Sequence, residues 1–167
     1  LLDSATNEIY DFILDRLRGY YADKGVPTQH FNAVAELRPA SLYDFDTRLD
    51  AIGQFAALPE APALAAANKR IGNILKKAQE VDAHVSELLL KEPAEIALYA
   101  AMKDIVPHAD ALFDAGDYAA SLQTLAALRA PVDAFFEGVM VNAEELDLRL
   151  NRQGLLKSLH DAMNRVA

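Results

Sequence analysis

The sequence predicts an all-α protein, a single helical bundle of about eight or nine helices. Apolar side chains recur at helical spacing along nearly all of the 167 residues, and strand-like alternation of apolar and polar residues is almost absent. Prolines and glycines stand singly between these periodic segments, which indicates short turns. No internal repeat of fixed period stands out, so a solenoid is not favoured. These features are typical of a helix bundle.

Four predicted helices precede residue 80. Their approximate extents are residues 4–24, 31–38, 42–58 and 62–78. The first has the apolar series Ile9, Phe12, Ile13, Leu17 and Tyr20. Proline or glycine follows each of the first three, and Pro62 occupies a first-turn position, where proline is favourable because its missing N–H has no helical partner.

Helical patterns also cover the second half of the chain. Their approximate extents are residues 81–90, 93–114, 118–128, 131–140 and 144–166. Pro93 and Pro131 open two of these helices, and the segment 115–117 is a stop and restart signal. Pro107 falls inside the 93–114 pattern, where its ring and missing N–H predict a kink or a split.

Composition excludes several classes of protein. Apolar residues make up 52% of the chain, there is no cysteine, and the formal net charge is −9. Disulfides, thiolate metal sites and a cysteine nucleophile are therefore excluded, and a cytoplasmic location fits. No apolar run is long enough to cross a membrane, and the acidity disfavours indiscriminate nucleic-acid binding. Because the chain opens at Leu1 and not at methionine, we expect a piece of a longer polypeptide, with residues 1–167 as one domain.

Residues 68–77 are the strongest local signal, because they hold four cations and no anion. At about 100° per residue, Lys69 and Lys76 share one line of a helix, Arg70 and Lys77 share a second, and Asn73 projects between them. The opposite side is apolar: Ala67, Ile71, Ile74, Leu75 and Ala78. This pattern indicates a phosphate or nucleotide surface, or alternatively a solvated face whose long side chains cover apolar surface.

No reaction centre is predicted. The four histidines are far apart, no glycine-rich loop precedes a helix, and no nucleophile with a partnering base stands out. A second cluster places Tyr20 and Tyr21 beside Arg16, Arg18 and Lys24, as in surfaces that stack an unpaired base. The alternative is that Tyr20 packs in the core while Tyr21 keeps only its hydroxyl in water.

Three stretches resemble the C-terminal domain of the β subunit of bacterial heterotetrameric glycyl-tRNA synthetases. They are residues 12–21, residues 68–77, and residues 135–145 with the following LRLNR and LL segments at 148–152 and 155–156. Their order and spacing span residues 8–160. Gln153-Gly154 departs from the pattern, in which a leucine is expected, and a glycine within a helix costs up to about 1 kcal/mol relative to alanine.

The resemblance implies a DALR-type, all-α anticodon-binding domain. It would be a non-catalytic domain of a glycine–tRNA ligase, an enzyme that attaches glycine to its tRNA with ATP. The implied partners are glycine tRNA, held at its anticodon arm, and the α subunit of a heterotetramer. ATP and magnesium would serve the whole enzyme, with no cofactor, active site or membrane contact in this fragment.

The expected tRNA contacts combine the residues with the resemblance. Lys69, Arg70, Lys76 and Lys77 would hold the RNA backbone, and Asn73 would contact a base or ribose. Further candidates are Arg16, Arg18 and Tyr21 as a second wall, and Arg149 and Arg152. Arg149 could instead pair with Glu145, and Asn151 could cap or brace the joint before the last helix.

An alternative function comes from a different class. The chain could be a helical interaction module that docks a partner subunit and touches no RNA. This hypothesis predicts a sizeable exposed apolar patch instead of a coherent basic surface.

Overall fold

The computed structural model describes residues 2–167, with side chains from Ser4 onward. These residues contain α-helices, two short 3-10 segments and no strand, so the predicted fold class is confirmed. The helices are α1 Leu2–Asp23, α2 Thr28–Glu36, α3 Leu42–Ala56, α4 Ala61–Lys77, α5 Pro93–Asp114, α6 Tyr118–Leu125, α7 Arg129–Gly138 and α8 Leu146–Met163. The 3-10 segments are Glu87–Leu89 and Ala126–Leu128. The second of these joins α6 to α7 without a break, so residues 2–167 hold eight helices, or seven if that stretch counts as one.

Two groups of buried side chains hold the helices together. The larger lies among α3 to α8, and its fully buried members include Ile71, Leu98, Leu128, Phe135, Leu156 and Leu159. The smaller is aromatic and joins α1, α2 and α3 through Tyr21, Phe31 and Phe45. Ile52 of α3 packs against both groups. Burial of large aromatic and aliphatic side chains is the main favourable term in folding, so each group stabilises its own set of helices.

The segment between α4 and α5 corrects one prediction. Residues 81–90 are not helical apart from the short 3-10 segment, because α8 holds this stretch in an extended path. The Asn151 amide accepts from the Ser86 N–H at 2.7 Å and donates to its carbonyl at 3.1 Å. Ser158 Oγ donates to the Ala83 carbonyl at 2.7 Å. These long-range hydrogen bonds replace the local ones of a helix.

Two further details differ from the periodicity. Pro107 lies within α5 and does not split it. In α1, four members of the apolar series, Ile9, Phe12, Ile13 and Tyr20, are exposed instead of packed. Only Leu17 of that series packs, together with Leu14, against the aromatic group.

Candidate nucleic-acid interface

The amphipathic pattern of residues 68–77 lies on α4 as the sequence predicts. Ala61, Leu64, Ala67 and Ile71 are buried against the larger group of core side chains or beside it. On the opposite side the predicted polar residues are exposed: Lys69, Arg70, Asn73, Lys76 and Lys77. We refer to these five side chains as the α4 cationic face. Proline in the first turn and two lysines in the last turn both favour the helix, since the cations face its negative end.

The cations of this face are not neutralised by neighbouring carboxylates. Within residues 4–167, eight ion pairs bring Lys or Arg nitrogen atoms within 4.0 Å of carboxylate oxygens, and none involves Lys69, Arg70, Lys76 or Lys77. Seven of the chain's other basic residues form those pairs. The positive charge of α4 is therefore available to an anionic partner.

Neighbouring helices contact α4 beside the cationic face. The Arg70 guanidinium lies over the Phe136 ring of α7, 4.4 Å from its centroid. Asp133 and Glu137 line the same shallow cavity of about 340 Å³ and mark its acidic border. At the other side of α4, the Asn68 and Asn164 amides exchange hydrogen bonds of 3.0 and 2.8 Å, which fix α4 against the end of α8.

The candidates on α1 lie apart from α4. Helix α1 packs on α2, and no substantial contact joins it to α4. The Arg16 guanidinium lies over the Phe12 ring at 5.1 Å, and that of Arg18 over the Phe31 ring at 4.8 Å. Both side chains are exposed, but the structure does not bring them together with the α4 cationic face.

Tyr21 is placed differently from the prediction. Its side chain is 4% exposed and stacks on Phe45, while its hydroxyl donates to Asp46 at 2.8 Å. Burial and this hydrogen bond raise the pKa of the Tyr21 hydroxyl. A base cannot stack on a ring enclosed by the protein, so Tyr21 is a core residue. Tyr20, expected in the core under the alternative, is 52% exposed.

Arg152 is also placed differently from the prediction. It is 5% exposed, and its guanidinium donates through Nε and an Nη to the carboxylate of Glu95, both at 3.1 Å. The second Nη donates to the Met140 carbonyl at 2.7 Å. Arg152 therefore joins α5, α8 and the α7–α8 connection, and has no surface to offer to RNA. Arg149 is half-buried, and its guanidinium donates to the Ala143 carbonyl at 3.1 Å and forms no ion pair with the Glu145 carboxylate.

Glu95 is the residue that periodicity missed. It is fully buried at the start of α5, and its Oε1 accepts from the N–H groups of Lys91 and Glu92 at 2.6 and 2.8 Å. Burial raises its pKa, but hydrogen bonds from Arg152 and these two backbone groups outweigh burial and hold the pKa below the usual range. The Glu92-Pro93-Ala94-Glu95 spacing of a capping box was the available signal.

This shifted pKa predicts a pH dependence. Because the folded carboxylate binds its proton less readily than the unfolded one, its stabilisation is present above the unfolded pKa of about 4.5 and is lost as pH falls through the folded value. Between pH 5 and 3, the free energy of unfolding of the parent chain should fall more steeply than that of Glu95→Gln. Urea titrations at several pH values give the free energy of unfolding of both proteins. Equal slopes of this free energy against pH would contradict the assignment.

Other kinds of site are not found in the described part of the chain. Among the side chains of residues 4–167, no three histidine or carboxylate groups cluster closely enough to hold a metal ion. Within residues 2–167, every helix is too short or too polar to span a bilayer.

The family model of the DALR anticodon binding domain matches residues 64–166, from the first turn of α4 to beyond the end of α8. The chain belongs to the DALR anticodon-binding domain family. The match contains nearly all of the helix that bears the cationic face and leaves α1, α2 and α3 outside. This match confirms the DALR type of domain that the resemblance implied, and the relatives below confirm its likeness to glycine–tRNA ligase β subunits.

Relatives of this DALR domain are much longer proteins. It is 71% identical to the "Glycine--tRNA ligase beta subunit" of Polaromonas naphthalenivorans over 99% of the chain, and 64% identical to that of Paracidovorax citrulli over 99%. The protein of the same name from Xanthomonas campestris is 60% identical over 96% of the chain. The chain spans 23–24% of the length of these three relatives.

Proposed function

We propose that this DALR domain binds the anticodon arm of a glycine tRNA as the RNA-recognition part of a glycine–tRNA ligase β subunit. The observation that carries the proposal is the α4 cationic face, whose four cations have no carboxylate partner among residues 4–167. Membership of an anticodon-binding family and the names of the relatives supply the kind of RNA.

The chemistry of the face suits a single-stranded loop. Lysine and arginine hold phosphates through charge-assisted hydrogen bonds, while an amide can pair with the edge of a base that is not stacked in a duplex. In this proposal Lys69, Lys76 and Lys77 bind the RNA backbone. Arg70 also binds the backbone while its guanidinium stays over the Phe136 ring, and Asn73 contacts a base or ribose. Arg149 remains a candidate at the margin, whereas Arg16 and Arg18 stay predictions without a link to α4.

The wider proposal concerns the whole enzyme. Activation of glycine with ATP and magnesium would take place elsewhere, and the β subunit would assemble with an α subunit in a cytoplasmic heterotetramer. The proposal also treats residues 1–167 as one domain. In support, Arg48 of α3 donates to the carbonyls of Arg165 and Val166 at 2.8 and 3.0 Å, which ties the N-terminal helices to the end of the chain.

Reversing charge on α4 should weaken RNA binding. In the intact enzyme, Lys69→Glu combined with Lys76→Glu is expected to lower affinity for the anticodon stem-loop of glycine tRNA by about ten-fold to a hundred-fold, because two phosphate contacts become repulsive. Fewer neutralised phosphates should also reduce the slope of log affinity against log salt by about 1 to 2. Fluorescence anisotropy titrations between low and physiological salt measure both quantities.

The matched control makes the same change in net charge outside α4. Lys91→Glu with Lys103→Glu alters the connection that precedes α5 and the middle of α5, a helix that packs mainly on α6, α7 and α8. Both lysines are exposed, and Lys103 forms an ion pair with Glu87 and lies over the Tyr99 ring. If this control weakens binding as much as the α4 variant, the effect is one of overall charge and the proposed interface is wrong.

A further inference from the structure

Helix α1 has a second apolar face that the fold leaves uncovered. Ile9, Phe12, Ile13 and Tyr20 are 62%, 60%, 49% and 52% exposed. At about 100° per residue they fall within one arc of about 100° on one side of the helix, which they share with Arg16. We refer to these four residues as the α1 stripe. Large apolar side chains scattered singly are ordinary on surfaces, whereas a contiguous patch marks a binding surface.

The stripe is not needed to hold α1 on the rest of the bundle. That role falls to the adjacent face, where Leu14, Leu17 and Tyr21 pack into the aromatic group with α2 and α3. Tyr10 adds a hydrogen bond from its hydroxyl to the Pro39 carbonyl at 2.8 Å. Helix α1 therefore presents apolar side chains in two directions. The second of these remains largely exposed, although Arg16 lies over the Phe12 ring at 5.1 Å and Lys24 over the Tyr20 ring at 4.5 Å.

The stripe continues towards the start of α3. Leu42 and Tyr43 are 60% and 83% exposed, and they line a shallow cavity together with Tyr20 and Lys24. The exposed apolar surface thus spans two helices of the N-terminal part. It is the kind of patch that the alternative function predicted, but it lies away from the α4 cationic face.

The charge of the N-terminal part favours a protein partner over a nucleic acid for this surface. Residues 4–60 carry nine acidic and five basic side chains, so the N-terminal part as a whole disfavours a polyanion more than α4 does, although Arg16 and Lys24 lie at the stripe itself. An apolar stripe with a mostly acidic surround suits a protein surface of apolar side chains with basic residues at its margin.

The family match and the lengths of the relatives indicate which polypeptide covers the α1 stripe. Helix α1 lies outside the family match at residues 64–166, yet the likeness to the β subunits extends over 99% of the chain and therefore through α1. About three quarters of each of those relatives lies beyond the matched region. Polypeptide covalently joined to this domain would meet the stripe at an effective concentration of about millimolar, well above that of a separate subunit.

We propose that the α1 stripe is the surface on which this domain docks against the remainder of its own, longer β-subunit polypeptide. Docking of α1 would couple the module that holds the anticodon arm to the rest of the subunit, while α4 stays free for RNA. The inference rests on the proposed β-subunit identity, but not on the assignment of α4 as the RNA surface.

A photo-crosslinker placed in the stripe tests the proposal. In the intact β subunit expressed with its α subunit, Phe12 is replaced by p-benzoylphenylalanine, and a second protein carries the same probe at Ile13. Irradiation should give crosslinks within one β polypeptide to peptides outside residues 1–167, mapped by mass spectrometry. The matched control carries the probe at Leu88, which is 84% exposed on the 3-10 segment Glu87–Leu89 outside the stripe, and should give few such crosslinks.

Other outcomes overturn the proposal. Crosslinks from both stripe positions to the α subunit, to a second β copy or to tRNA would identify a different occupant. Absence of crosslinks from both positions would show that the stripe is uncovered.

Phe12→Asp with Ile13→Asp provides a separate readout in the same intact enzyme. Hydrogen exchange should rise by at least ten-fold at α1 and in the docked segment. Affinity for the anticodon stem-loop should change by less than about two-fold, so failure of docking is distinguishable from failure of the α4 interface. Exchange that is unchanged from the parent enzyme would contradict docking.

Discussion

Replacing Arg152 by methionine is expected to lower the free energy of unfolding by about 3–5 kcal/mol. The substitution keeps much of the side-chain volume but removes the three hydrogen bonds that the guanidinium donates. Glu95, fully buried, would lose both guanidinium hydrogen bonds, and the Met140 carbonyl would lose its 2.7 Å partner. An uncompensated buried carboxylate is far more costly than the net gain of the pair, so removing one partner has a large effect.

Urea titration of Arg152→Met and two companion variants checks this result. Glu95→Gln with Arg152→Met removes the buried charge but keeps an acceptor for the N–H groups of Lys91 and Glu92, so it should recover part of the lost stability. Arg149→Met is the matched control, because half-buried Arg149 makes one hydrogen bond to a carbonyl and should cost about 1 kcal/mol. A loss of stability below about 1 kcal/mol for Arg152→Met would mean that the Glu95 carboxylate is not buried against the Arg152 guanidinium.

Replacing Gly154 by alanine is expected to destabilise the protein by about 1–3 kcal/mol, although alanine is the better helix former. A Cβ at this position of α8 would lie 2.9 Å from the Asp82 carbonyl oxygen and closer still to that of His84. Both obstacles are backbone atoms of the segment that crosses α8. Neighbouring hydrogen bonds from Ser158 to Ala83 and between Asn151 and Ser86 hold that segment, so it cannot move aside cheaply.

Gly53→Ala supplies the contrast. Gly53 lies inside α3, and an added Cβ there would meet no atom within 4 Å. The gain in helix propensity should therefore appear alone, as a stabilisation of about 0.5–1 kcal/mol. Thermal and urea unfolding of both variants decide the matter. If Gly154→Ala were stabilised like Gly53→Ala, the close approach of residues 82–84 to α8 would be wrong.

Gly154 has a low helix propensity that the sequence alone leaves unexplained, and the folded structure gives the reason for it. As a property of one helix, Gly154 departs from the expected leucine and weakens α8. In the folded chain the missing side chain makes room for the 82–84 backbone. The same crossing explains why residues 81–90 are extended despite a helical pattern, since periodicity records only which face is apolar.

Local pattern was sufficient for the helices and for the α4 cationic face. Turn residues and 3.6-residue periodicity depend on neighbours in sequence, and Lys69, Asn73 and Lys76 stand on the side opposite Ile71 for that reason alone. Long-range packing, in contrast, placed Tyr21 and Arg152 in the interior and left Ile9 and Phe12 outside. Elements distant in the chain decide which of two apolar faces is covered and whether a cation pairs with a buried carboxylate. The spacing of residues within one helix cannot predict these contacts.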